Sequence, residues 1–169
     1  MNLNILLIGF MGSGKTTVGK CLSSTLNMDV VDTDHYIYQN SGLSANEMFD
    51  LHGEDYFRNC ETKAIKSICL RDNIIISCGG GIVIRGKNVR IMKKNGIIVF
   101  LDAKPSTIYE RLKKDVQRPL LKQNMTLEFI SDFLGKRNLL YQGVADIVVQ
   151  TDNKTPENIC MDIIRQVNI

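Results

Sequence analysis

Tryptophan is absent from this chain, and its other aromatic residues number only 5 Tyr and 6 Phe. No basic stretch interleaves with them, so a stacking platform for nucleic-acid bases is not expected. Charge of one sign is also scarce: the net charge is +3 and the pI near 8.6. That is too little for a nucleic-acid footprint, though it suits an anionic small substrate. No apolar run approaches the ~20 residues needed to cross a bilayer. The 5 cysteines (Cys21, Cys60, Cys69, Cys78, Cys160) are odd in number, widely spaced and without a C-x-x-C pair. Neither a zinc site nor a disulfide framework is supported, and a reducing compartment is the natural reading. The chain runs into an apolar segment with no basic n-region, so a soluble cytoplasmic protein is expected. No repeat, low-complexity tract or linker divides the 169 residues, which read as one domain, residues 1–169.

Short apolar runs alternate with amphipathic stretches, the pattern of a parallel sheet with crossover helices. Strands are expected at Leu3–Ile8, Val30–Val31, Ile74–Ser77, Ile97–Leu101 and Ile147–Val149. Helices are expected over Lys15–Leu26, Thr33–Asn40, Ala45–Phe49, Glu54–Leu70, Lys87–Lys93, Pro105–Lys113, Leu127–Leu140 and Pro156–Val167. Pro105 and Pro156 stand where a first helical turn tolerates proline. The polar segment Lys113–Met125, with Pro119 inside it, reads as a mobile lid between two helices.

The residues Gly9-Phe10-Met11-Gly12-Ser13-Gly14-Lys15-Thr16 spell G-x-x-x-x-G-K-[ST] directly after the first apolar run. The loop works at such a strand-to-helix turn, where its backbone N–H groups wrap a phosphate and the helix adds its positive end. Lys15 would reach the β- and γ-phosphates, and the Thr16 hydroxyl would ligate Mg²⁺. Asp32-Thr33-Asp34 closes the second strand, at the carboxyl edge where open parallel sheets bind ligands. Asp32 is placed to hold Mg²⁺ through water. Asp34 would accept a hydroxyl proton from an acceptor or, alternatively, cap the helix that starts near His35.

Four further features narrow the choice. Arg58 and Glu61 share a helical face, as a surface ion pair or with Arg58 aimed at a substrate anion. Gly79-Gly80-Gly81 after the third apolar strand suggests very close approach of backbone to ligand. Arg118-Pro119-Leu120-Leu121 lies in the expected lid, and Arg137 stands four residues before Tyr141.

Taken together, GFMGSGKT (9–16), DTD (32–34), GED-x-FR-x-x-E (53–61), GGG (79–81), RPLL (118–121) and R-x-x-x-Y (137–141) make the chain resemble the shikimate kinases over essentially its whole length. The resemblance implies a three-layer P-loop kinase fold, a five-stranded parallel sheet flanked by helices with a mobile lid. It also implies transfer of the ATP γ-phosphoryl group to the 3-hydroxyl of shikimate, with Mg²⁺, in aromatic amino-acid biosynthesis. Carried over residue by residue, the acceptor contacts fall on Asp34, Arg58, Gly79, Gly80, Gly81 and Arg137, within an acceptor region at about 33–61 and the later motifs. The nucleotide contacts fall on Gly12, Ser13, Gly14, Lys15, Thr16 and Thr17, with Arg118 from the lid. Lys15, Asp34 and Arg118 form the catalytic set. An adenine clamp falls on Arg111 and the Asn153–Pro156 region. There Lys154 stands where some relatives carry Arg, and it lacks the planar fork that stacks on a base. Cys78 replaces the Thr or Ser expected before the glycines.

Three rivals share part of this pattern. A nucleoside monophosphate or gluconate-type kinase would differ in its acceptor pocket, where Asp34 and the glycines suit a polyol better than a base. A regulatory GTPase is disfavoured because Asn153-Lys154-Thr155-Pro156 lacks the Asp that reads guanine. A non-catalytic shikimate-binding module would not need Lys15, Thr16 and Asp32. A monomer is the default expectation.

Overall fold

The short apolar runs between turn signals are too short for helices, and the most apolar of them suit strands buried on both faces. The computed structural model, which describes residues 3–114 and 126–168, places five of them in one parallel sheet. The strands are β1 (Ile5–Ile8), β2 (Asp29–Asp32), β3 (Ile74–Ser77), β4 (Ile97–Asp102) and β5 (Ile147–Gln150), in the order β2-β3-β1-β4-β5. Central β1 pairs Ile5 with Ile75 on one side and with Ile97 on the other.

Because side chains alternate across a strand, each strand feeds two cores. Leu6, Ile8, Ile76 and Phe100 pack on one face beneath α4 (Glu54–Ile68) and α5 (Gly86–Asn95). Ile5, Leu7, Ile75 and Val99 pack on the other beneath α1 (Lys15–Leu26) and α8 (Pro156–Val167). Burying such side chains contributes about 1.5–3 kcal/mol each. A third cluster joins Phe10 of the phosphate loop to Ile108 of α6 (Pro105–Lys114) and to Ile130 and Leu134 of α7 (Leu127–Val144). Two short helices, α2 (Thr33–Ser41) and α3 (Ala45–His52), complete the set, α3 with a Ser44/Glu47 capping box.

From β1 the chain passes toward β2, and from β4 toward β5. Their connections part in opposite directions and leave a crevice beyond the carboxyl ends of the central strands. Among the described residues, no helix is long and apolar enough to cross a membrane.

The expected strand at Leu3–Ile8 starts later, at Ile5, because the Asn4 side chain takes over the bonding there. Its Nδ2 donates to Arg71 O at 2.9 Å, and its Oδ1 accepts from Ile74 N at 3.1 Å. Strand β2 runs longer than its apolar pair, as an edge strand can without burial. A 3-10 turn over Ile82–Ile84, unforeseen in the sequence, follows the glycine triplet.

Candidate active site

The loop between β1 and α1 turns on glycines. Gly9, Gly12 and Gly14 sit at φ of +142°, +78° and +105°, a region L side chains avoid. Helix α1 begins with no side-chain cap and no acidic residue in its first turn, leaving its N–H groups and positive end directed at the loop. Lys15 Nζ donates to Gly9 O at 2.8 Å and Phe10 O at 2.9 Å, which holds the ammonium over the loop. Arg111 on α6 braces the same loop: Nη1 donates to Gly12 O and Ser13 O at 3.3 and 3.2 Å, and Nη2 to Thr151 O at 2.8 Å. Burial lowers the Arg111 pKa from its ordinary value. These groups, with exposed Thr16 and Thr17, line one end of a cleft of about 700 Å³.

The other end is built from α2, α4, α7 and the loop after β3. Asp32, not Asp34, caps α2: its Oδ1 accepts from Asp34 N at 3.0 Å and His35 N at 3.2 Å, and its Oδ2 accepts from Ser77 Oγ at 2.9 Å. The capping role weighed for Asp34 therefore belongs to its neighbour two residues earlier. Asp34 stands in the first helical turn with its carboxylate against Gly79, and both aspartates line the cleft.

Arg58 does pair with Glu61, but the pair is buried rather than on the surface. Arg58 is 8% exposed and Glu61 1%. Nη1 of Arg58 donates to Glu61 at 2.7 Å, while Nε and Nη2 reach Glu54 at 3.1 and 3.0 Å. The Phe49 and Phe57 rings flank the guanidinium, with centroids 5.7 and 5.6 Å from Cζ. Burial outweighs this pairing at Glu61 and raises its pKa above the ordinary carboxylate value. Arg137 crosses from α7 to donate to Gly80 O at 3.1 Å, beside the Tyr141 hydroxyl, which donates to the same carbonyl at 2.6 Å.

The glycine triplet has a steric cause. None of Gly79, Gly80 and Gly81 lies in the left-handed φ region that favours glycine. A Cβ on Gly79 would lie 2.5 Å from Asp34 Oδ1, and one on Gly81 would overlap the Arg58 guanidinium. What crowds these two positions within the chain is its own Asp34 and Arg58.

The same cleft thus gathers the phosphate-loop residues, Asp32, Asp34, Arg58, the three glycines, Arg111, Arg137 and Lys154. Lys154 Nζ donates to Asp162 Oδ2 of α8 at 2.8 Å. Arg118 and most of the expected lid (115–125) lie outside the described residues. Cys78 is buried behind the glycines with its thiol pKa pushed well up by burial. Sequence reasoning passed over Phe49 and Thr151, and it quoted Phe57 within the 53–61 motif without giving it a role. Only Phe57 carried a signal, as the neighbour of Arg58.

A phosphate loop opening into a cleft that ends in two arginines and a carboxylate defines a P-loop kinase of small molecules. The shikimate kinase family model matches residues 11–168. The chain is 44% identical over 154 residues to a shikimate kinase of Caldicellulosiruptor saccharolyticus, covering 91% of this chain and 89% of that one. It is 42% identical over 164 residues to one of a Sulfurihydrogenibium species, with 97% of each covered. The structure of an Acinetobacter baumannii shikimate kinase in complex with shikimate superposes with a TM-score of 0.91 at 30% identity, covering 99% of this chain and 94% of that one. The chain belongs to the shikimate kinase family and is an ATP-dependent kinase.

Proposed function

We propose that this kinase transfers the ATP γ-phosphoryl group to the 3-hydroxyl of shikimate, the residues above acting in the roles that follow. The observation that carries the reading is the continuity of one cleft from the phosphate loop to the Arg58, Arg137 and Asp34 set. Shikimate bears a carboxylate and three hydroxyls. Two guanidinium groups suit the carboxylate, since their planar forks match it. Asp34, exposed in the cleft on a helix that Asp32 caps, orients the attacking hydroxyl and is its proton acceptor. Lys15 meets negative charge as it grows on the transferred group, and Arg118 joins it by its motif alone. Phosphoryl transfer asks little covalent chemistry of a protein, so positioning and charge are the main contributions.

A magnesium ion fits the oxygen donors present. The Thr16 hydroxyl and Asp32 carboxylate line the nucleotide end of the cleft. Among the described residues no group of three or more His, Cys, Asp or Glu is arranged to hold a metal. The protein would therefore supply two oxygens, directly or through water, with the rest from phosphate and solvent, as Mg²⁺ favours. When bound, the ion neutralises phosphate charge.

The test is a coupled ADP-release assay with ATP, Mg²⁺ and a panel of shikimate, gluconate and nucleoside monophosphates. Shikimate alone is expected to raise the rate. No rate above the no-acceptor background with shikimate would overturn the reading.

A further inference from the structure

Outside the cleft, one buried polar cluster has no role in the chemistry above. Asn88 of α5 is 0% exposed and Thr62 of α4 9%. Thr62 Oγ1 lies 2.7 Å from Asn88 Oδ1, and Asn88 Nδ2 lies 3.0 Å from the carbonyl of Ile82. The hydrogens are assigned by elimination. A carbonyl only accepts, so Nδ2 faces Ile82, Oδ1 faces Thr62, and the hydroxyl proton bonds to Oδ1. The Asn88 amide thus joins three elements: α4, α5 and the 3-10 turn that follows the glycine triplet.

Both ends of this bridge lie next to the acceptor groups without touching the cleft. Thr62 stands one helical turn after Arg58, and its hydroxyl is also 3.1 Å from Arg58 O. Ile82 directly follows Gly81, and the turn is bonded back to the glycines, with Ile82 N donating to Gly79 O at 3.1 Å and Ile84 N to Gly81 O at 3.0 Å. The loop tolerates no inward movement, because Gly79 already abuts Asp34 and Gly81 abuts Arg58. Movement outward would loosen the Gly80 carbonyl from Arg137 and Tyr141. A single spacing, between α4 and the glycine loop, therefore sets the positions of all three acceptor side chains.

We infer that the Thr62–Asn88–Ile82 bridge is the positioning device of the acceptor site, fixing the glycine loop against α4. The inference rests on the acceptor role given above to Asp34, Arg58 and Arg137. The nucleotide end stands on α1, α6 and α8, none of which the bridge joins, so its loss acts on the acceptor alone.

Two substitutions cut different bonds of the bridge. Thr62→Val keeps shape and removes the donor to Asn88, while Asn88→Asp keeps shape and removes the donor to Ile82 O. Each is expected to raise the shikimate KM about tenfold, as an unsatisfied buried partner does, and to leave the ATP KM unchanged. Thr62→Ser, which keeps the hydroxyl, restores the wild-type shikimate KM. Equal rises in both KM values, or a wild-type shikimate KM in both variants, would overturn the inference. Hydrogen exchange provides a readout independent of turnover, and it applies equally to a variant too unstable for kinetics. Amides of Gly79–Ile84 should exchange faster in both variants than in wild type, beyond any global change, and unchanged relative protection there would also overturn it. A wild-type enzyme inactive on shikimate would instead refute the acceptor reading, leaving the bridge to be decided by exchange.

Discussion

Replacing Gly81 by Ala tests the steric account of the glycine triplet directly. The added Cβ would overlap Arg58 Nη1 and lie 2.7 Å from Cζ and 2.8 Å from Nη2. The end of an arginine usually gives way cheaply, but here Glu61 holds Nη1 at 2.7 Å and Glu54 holds Nε and Nη2. Displacing the guanidinium has two costs. The acceptor loses a charge-assisted hydrogen bond of ~1.5–3 kcal/mol, or about 10- to 150-fold in shikimate KM. Glu61 also loses its buried partner, which typically costs about 3–5 kcal/mol. At ~3 kcal/mol the melting temperature of a chain this size should fall by roughly 6–12 °C. Gly80→Ala is the control. Its Cβ would meet Gly9 O and the Tyr141 hydroxyl at 3.6 Å, ordinary contact, so a melting temperature close to that of wild type is expected. Steady-state kinetics with each substrate varied, together with thermal melts, decide the matter. Wild-type shikimate KM and Tm in Gly81→Ala would refute the reasoning.

Lys15→Ala should lower kcat by about 10²–10³ with the fold intact, and retention of half the wild-type kcat would rule out its charge-stabilising role. Arg137→Lys keeps the charge and loses the fork. Calorimetry should show shikimate binding weakened by ~1.5–3 kcal/mol with ATP binding unaffected, and equal losses would point to a structural role. Asp34→Asn should lower kcat by about 10²–10⁴ far more than it alters the shikimate KM. Since Asp32 provides the cap, Tm should barely move, and a stability loss with normal kcat would count against the proton-acceptor role. For Glu61, burial raises the folded-state pKa, so its contribution to stability is full below the ordinary carboxylate pKa and is lost as pH rises through the raised value. The Tm of wild type minus that of Glu61→Gln should therefore fall from acid to neutral pH, and a difference that grows with pH would contradict the burial account.

Much of the architecture was legible because it depends on local rules. Short apolar runs, glycines before Lys15 and prolines at Pro105 and Pro156 act within a few residues of themselves, and elements formed where they indicated. Misjudged details involve partners far along the chain. The start of β1 depends on Asn4 bonding to Arg71 and Ile74, about 70 residues away. The alternative weighed for Asp34, capping of α2, falls instead to Asp32, because both aspartates are plausible from spacing and only backbone direction at the strand end distinguishes them.

By itself, the sequence determined a P-loop α/β protein and, through motifs in order, its family. These are properties of residue type and spacing, which a linear chain carries fully. Only the tertiary structure decided the strand order β2-β3-β1-β4-β5, and with it which motifs share a cleft. It also turned an unremarkable Arg58–Glu61 spacing into a buried pair between Phe49 and Phe57. It gave Gly79 and Gly81 their reason, the side chains of Asp34 and Arg58 filling the space a Cβ would need. Burial, contact and free volume depend on what the rest of the chain places nearby, and that is set by packing rather than by any local run of residues.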